Sequence, residues 1–211
     1  MRPRTENLGR TGLGALRQFV RRPSEPPEVC ELCATRLASE HPHLFELETD
    51  RIVCACEPCA ILFADHARQR FRRIPRDVRR LPDFVLDDQA WDSLLVPIKL
   101  AFFVHSSKAG RVVARYPSPG GAMESSLDLD YWSVISERNP SLREFVPDVE
   151  ALLVNRISDP RQYYRVPIDL CYRLVGIIRK HWRGLSGGSE VWNVVDQFFR
   201  QLNALAGEPR A

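Results

Sequence analysis

Two Cys-x-x-Cys pairs, Cys30/Cys33 and Cys56/Cys59, stand 22 residues apart and constrain this chain more than any other feature. A tetrahedral ion needs four soft donors converging on one point, and each pair presents two thiolates from a tight turn. A strand, a turn and a returning strand across the intervening residues would bring the pairs together. With every position filled by protein, no coordination site stays open and the expected role is structural. Metal binding would then supply much of the folding free energy of a segment too short to bury a sufficient core alone. Zinc is the expected ion. Iron in a rubredoxin-like site is the alternative; against it, Ala34 and Ala60 stand where glycine usually follows each turn.

Three more residues compete for the same positions. Cys54 is two residues from Cys56, too tight for a standard knuckle, and is left outside the ligand set, either beside it or substituting for Cys56. His41 and His43 are possible additional ligands, although His-Pro-His reads more simply as loop surface. An iron–sulfur cluster through Cys54, Cys56 and Cys59 is a further alternative. The sixth cysteine, Cys171, falls on the apolar face of a helical pattern. No secretory signal and no apolar run of membrane-spanning length is evident, so a reducing cytoplasm is expected, where clustered cysteines bind metal more often than they form disulfides.

The pattern along the chain predicts an α+β fold: a small four-cysteine zinc-ribbon-like module joined to a mixed sheet-and-helix body that ends in a C-terminal helical hairpin. Residues 1–27 read as a disordered basic tail, 28–66 as the ribbon module, 67–206 as the body and 207–211 as a tail. Within the module, strands are expected over 43–48 and 51–54 around a turn at Thr49-Asp50, with a short helix after Cys59. In the body, a helix is expected over 87–95 and strands over 98–104 and 111–116 around a turn at 107–110, with a loop at 117–121. Helices are expected over 131–138, capped by Asp130, and over 140–146, capped by Asn139. A buried strand is expected over 151–157. Cys171, Leu174, Val175, Ile178 and Trp182 recur at helical spacing. Val191, Val194, Val195, Phe198, Leu202 and Leu205 do the same beyond a Ser-Gly-Gly-Ser break.

Charge is unevenly spread. The net charge is +3, yet residues 1–22 carry six Arg against one Glu, and residues 68–80 carry seven Arg against one Asp. The rest of the chain is therefore acidic. Arg70, Arg72, Arg73, Arg76, Arg79 and Arg80 are candidate partner-binding residues, because guanidinium forks pair with carboxylates on an acidic protein face. Phosphate binding is the alternative use, but Phe71 is the single aromatic residue in the segment available for base stacking. Catalysis has little support. His105, Ser106 and Ser107 sit at an expected strand end without a nucleophile elbow, and Asp128 and Asp130 have no further metal-binding company.

Three segments together resemble a family of bacterial proteins of unassigned function, seen mainly in actinobacteria. They are Cys-Glu-Leu-Cys at 30–33, Cys-Ala-Cys-Glu-Pro-Cys-Ala-Ile-Leu-Phe at 54–63, and Val-Pro-Ile-Asp-Leu-Cys-Tyr-Arg-Leu-Val-Gly-Ile-Ile-Arg at 166–179 with the Trp-Arg-Gly and Gly-Gly-Ser-Glu-Val-Trp that follow. Members are commonly encoded beside nickel–iron hydrogenase genes. The resemblance implies an accessory role in hydrogenase assembly or electron transfer, and it transfers no catalytic residues. The expected function is a non-catalytic, zinc-binding accessory protein that docks on a protein partner. The alternatives are an electron carrier with iron in the four-cysteine site and a nucleic-acid-binding regulator acting through the arginine segment.

Overall fold

The segment 43-His-Leu-Phe-Glu-46 forms strand β1 (His43–Glu46), paired antiparallel with β2 (Arg51–Cys54). These strands belong to a computed structural model that describes residues 28–64, 70–125, 129–184 and 187–207. The tail expected over 1–27, residues 65–69, Asp128 and residues 208–211 lie outside the described residues. β1 ends at Glu46, two residues sooner than expected. The Thr49 hydroxyl donates to the Glu46 carboxylate at 2.5 Å, and Asp50 turns the chain with a left-handed φ of 53°. A third strand, β3 (Phe71–Arg73), pairs with the other edge of β1, so the small sheet has the order β2-β1-β3 and draws one strand from beyond residue 66. Helix α1 (Glu57–Ala64), between β2 and β3 in the chain, packs against β3 and β1.

The second sheet has six strands, all antiparallel, in the order β4-β9-β8-β5-β6-β7. They are β4 (Arg79–Arg80), β5 (Leu100–Ser106), β6 (Arg111–Ser118), β7 (Gly121–Glu124), β8 (Glu150–Asn155) and β9 (Gln162–Pro167). Side chains alternate across a strand, and here both faces are covered. Leu100, Phe102, Val104, Ala151, Leu153, Tyr164 and Val166 enter one apolar cluster, while Ala101, Phe103, Leu152, Val154 and Tyr163 enter another. That is why β8 reads as a continuous apolar run. The first face carries α4 (Ile168–His181) and α5 (Gly188–Gly207), the expected helical hairpin. The second carries α2 (Asp88–Ser93), α3 (Leu129–Arg138) and a five-residue 3-10 turn, Pro140–Glu144.

Several local expectations need correction. The sequence reading has no strand over 162–167, yet β9 runs to Pro167 and the helix begins directly at Ile168, whose amide donates to the Val149 carbonyl at 2.9 Å. The loop expected at 117–121 shrinks to residues 119–120, because β6 runs to Ser118 and β7 begins at Gly121. Asp130 lies within α3 and does not precede it. Asn139 does not cap the segment after it. Its amide is buried and brackets the chain at Val85, accepting from the Val85 amide at 2.7 Å and donating to the Val85 carbonyl at 2.9 Å. Asp87 is a genuine cap, accepting from the Ala90 amide at 2.8 Å.

The C-terminal hairpin buries Ile168, Cys171, Leu174, Val175 and Ile178 from α4, and Val191, Val195, Phe198, Phe199 and Leu202 from α5. Each such side chain contributes roughly 1.5–3 kcal/mol on burial, so these two stripes outweigh any cap or surface pair. Trp182 ends α4 and meets Trp192 at 6.3 Å between ring centroids. The two architectures together, a three-stranded and a six-stranded antiparallel sheet with five helices among the described residues, are α+β.

The small sheet is fastened to the large one. Phe45, Ile74 and Val78 lie in the same apolar cluster as the helical hairpin. Arg72 donates to the buried Asp148 carboxylate at 2.8 Å and to the Pro147 carbonyl at 3.0 Å. Lys108 reaches Asp50 at 3.1 Å and the Glu48 carbonyl at 2.9 Å.

Candidate metal centre

The two Cys-x-x-Cys pairs are held by different backbone devices. The first is a free turn: the Ala34 amide donates to the Cys30 carbonyl at 2.8 Å, and Ala34 takes a left-handed φ of 60°. The second is the opening of a helix, with the Ala60 amide donating to the Cys56 carbonyl at 2.9 Å. The alanines that replace the usual glycines thus sit in unlike places, one strained and one at ease in a helix.

The β1–β2 hairpin brings these devices together. One sulfur from each of Cys30, Cys33, Cys56 and Cys59 lies within 4.8 Å of the others. The Cys33 and Cys56 sulfurs are 3.6 Å apart. Four sulfurs bound to one zinc at about 2.3 Å would be about 3.8 Å apart, so this spacing suits tetrahedral coordination. It is far too long for a disulfide, and all six cysteines are free thiols. Cys30 and Cys59 are buried, whereas Cys33 is exposed.

The thiols differ in acidity. Hydrogen bonding from the Thr35 side chain, then from its backbone, brings Cys33 down to about 6. Burial pushes Cys30 upward, but backbone hydrogen bonds from Cys56, Leu32 and Cys33 outweigh it and leave that thiol lowered. Burial, followed by hydrogen bonds that Cys56, Cys33 and Cys30 make with it, pushes Cys59 up to about 12. Successive thiolates in one small volume repel, so four of them coexist near neutral pH only around a cation. The donor set therefore fits a metal ion, and its chemistry fits a thiophilic one.

The other candidate ligands do not join this group. His41, His43 and Cys54 form a separate set whose ligand atoms lie within 4.8 Å of one another. In the hairpin register His43 stands directly opposite Cys54. Asp169, which the sequence marks only as an acidic residue in the first turn of α4, accepts from His43 Nδ1 at 2.7 Å. No sequence signal could have joined two residues 126 positions apart.

The arginines are spread over two sheets. Arg70 makes a two-pronged contact with Glu46 at 2.8 and 2.6 Å, Arg72 binds Asp148, Arg73 binds Glu57 at 2.5 Å, and Arg79 binds Asp77 at 2.6 Å. Arg76 lines the cleft beside His41 and His43. Arg79 and Arg80 form the edge strand β4. Elsewhere, His105 is exposed on β5 with Ser106 and Ser107 at its end, where the Asp148 carboxylate accepts from the Ser107 backbone amide at 2.7 Å. Cys171 is wholly buried, and burial pushes its thiol well up.

No described helix is long and apolar enough to cross a membrane. No curated protein and no solved structure matches the chain. Residues 29–206, which hold both cysteine pairs, the two sheets and the helical hairpin, match a family of unknown function, DUF5947, and the chain belongs to that family.

Proposed function

We propose that this protein is a non-catalytic, zinc-binding accessory factor whose ribbon-like module docks on a protein partner. The observation that carries the reading is the convergence of the Cys30, Cys33, Cys56 and Cys59 sulfurs, a donor set that leaves a four-coordinate ion no open position. Zinc held there would fix a surface without reacting. The adjoining helix α1 supports a docking role: Ile61, Leu62 and Phe63 are 61%, 54% and 39% exposed in sequence, an apolar patch that water does not favour. Arg73, paired with Glu57 of the same helix, and Arg70, paired with Glu46, follow it in the chain, and the described residues of 54–80 form the proposed docking face. From the sequence resemblance, the partner is a nickel–iron hydrogenase subunit or its maturation machinery, met in the cytoplasm.

A second reading keeps the site and changes the ion. Iron in the same four cysteines would make the protein an electron carrier, and the exposure of Cys33 favours it by bringing one sulfur to the surface. Nucleic-acid binding through the arginines is the weakest reading, since phosphates would have to displace Glu46, Asp148, Glu57 and Asp77.

Metal analysis with a visible spectrum of the purified chain separates the first two readings: a colourless zinc protein supports the first, and a red or brown iron protein the second. For the partner, a tagged chain should co-purify with hydrogenase subunits, and deletion of the gene should lower hydrogen uptake in a host that carries the enzyme. Normal uptake together with no hydrogenase peptides would remove that partner.

A further inference from the structure

We propose that His41, His43 and Cys54 form a second metal site, a three-ligand set for a zinc-class transition-metal ion with its fourth position reached from a neighbouring cleft. The proposal goes beyond the four-cysteine reading and does not depend on it.

The three ligand groups lie close together. One ring nitrogen of each histidine and the Cys54 sulfur lie within 4.8 Å of one another. The antiparallel register sets His43 against Cys54, and His41, two residues earlier, meets His43 edge-on with ring centroids 4.9 Å apart. In both rings Nδ1 is taken. His41 Nδ1 lies 3.0 Å from the Ala38 carbonyl, which can only accept, and His43 Nδ1 lies 2.7 Å from the Asp169 carboxylate. Each ring therefore carries its proton on Nδ1 and presents the lone pair of Nε2. A metal-ligating histidine is held in this way, with its far nitrogen donating to a carbonyl or a carboxylate.

An independent observation points to a ligand. His41 has a side chain only 7% exposed, and its Nε2 is buried with no hydrogen-bond partner among the described residues. A buried acceptor without a donor is costly, and proteins rarely keep one without a use. A metal ion satisfies it.

The ligand types choose the class of ion. Two imidazoles and one thiolate suit zinc, cobalt or copper and do not suit magnesium or calcium. Three protein ligands leave a tetrahedral ion one position for water or an exchangeable group. His41 and His43 line a cleft of about 580 Å³ whose walls include Ile74, Val78, Asp169 and Arg173.

The test is zinc stoichiometry on the full chain, with folding followed by circular dichroism. Wild type should bind about two zinc ions per chain, and His41→Ala and Cys54→Ser about one, with the four-cysteine ion retained. Asp169→Asn should keep both ions but weaken the second by about 10–100-fold. With cobalt as the probe, Cys54→Ser should remove the weaker, single-thiolate charge-transfer component and leave the four-thiolate spectrum. Binding of one ion that His41→Ala and Cys54→Ser both leave untouched overturns the proposal. So does a single ion lost equally in His41→Ala and Cys33→Ser, which would put the histidines around the same metal as the cysteines. Failure of the four-cysteine reading shows differently, as full metal retention in Cys33→Ser and Cys59→Ser.

Discussion

Cys54 faces His43 across the β1–β2 hairpin, and its chain neighbour but one, Cys56, joins the four-cysteine set instead. Two cysteines separated by one residue therefore serve different neighbourhoods. Cys56→Ser should lose the four-cysteine ion and loosen the small sheet, while Cys54→Ser should keep it. Amide hydrogen exchange over 28–64 in the metal-loaded chain reads both effects. Protection lost in Cys54→Ser and kept in Cys56→Ser would reverse the ligand assignment.

Ala34 carries a left-handed backbone with a φ of 60°. An L side chain there costs about 1–2 kcal/mol that glycine avoids. Glycine also gives the unfolded chain more freedom, which offsets part of the gain. Ala34→Gly should stabilise the metal-loaded protein by about 0.5–1 kcal/mol in denaturant titration. A loss of stability would show that the strain is relieved in some other way.

Gly187 is required for two reasons at once. Its φ is 85°, and a Cβ placed on it would lie 2.9 Å from Val191 Cγ1 and 3.1 Å from the Trp182 ring. Gly187→Ala should destabilise the protein by about 1–3 kcal/mol, with altered emission from the Trp182–Trp192 pair. Gly110, with open space around it, provides the contrast.

Asp148 is buried and relies on Arg72 and the Ser107 amide, the latter donating at 2.7 Å. Arg72→Ala leaves that carboxylate without its counter-charge and should cost about 3 kcal/mol. The same variant bears on docking. If weakened partner binding follows only from lost stability, Arg72→Ala rescued by Asp148→Asn should bind normally. If Arg72 touches the partner, the double variant stays defective.

Glu46 is held below the usual carboxylate range, first by the Thr49 hydroxyl and then by Arg70. A depressed folded-state pKa stabilises the protein above the unfolded value, and that contribution is lost as pH falls through the folded one. Stability of the small sheet should therefore fall on acidification below the ordinary glutamate range. Glu46→Gln should flatten that part of the acid dependence, measured by thermal melts of the wild type and variant across acidic pH.

Much of this was legible in the chain. The helical stripes on α4 and α5 followed from period alone, because each is amphipathic and long. The cysteine spacing implied convergence, because two knuckles have few other ways to be satisfied. Strand β9 was missed because Pro167 looks like a boundary, and it is one, but between two regular elements without a loop. Leu205 fits the helical stripe yet stays 40% exposed, because it lines the cleft and not the core. The histidine–cysteine set was visible only as surplus ligands. Its meaning depends on strand register and on Asp169, which spacing along the chain cannot convey.

Phe45, Ile74 and Val78 share one apolar cluster with Val104, Val113, Leu174 and Phe198. The sheet beside the four cysteines is consequently no portable cassette. Transplanted into another protein it would expose those three side chains, and exchanged between relatives it would meet an ill-fitting floor. Within the family, a change of size at Phe45 should be answered by an opposite change among its cluster mates, so that the two sheets drift together as one heritable unit.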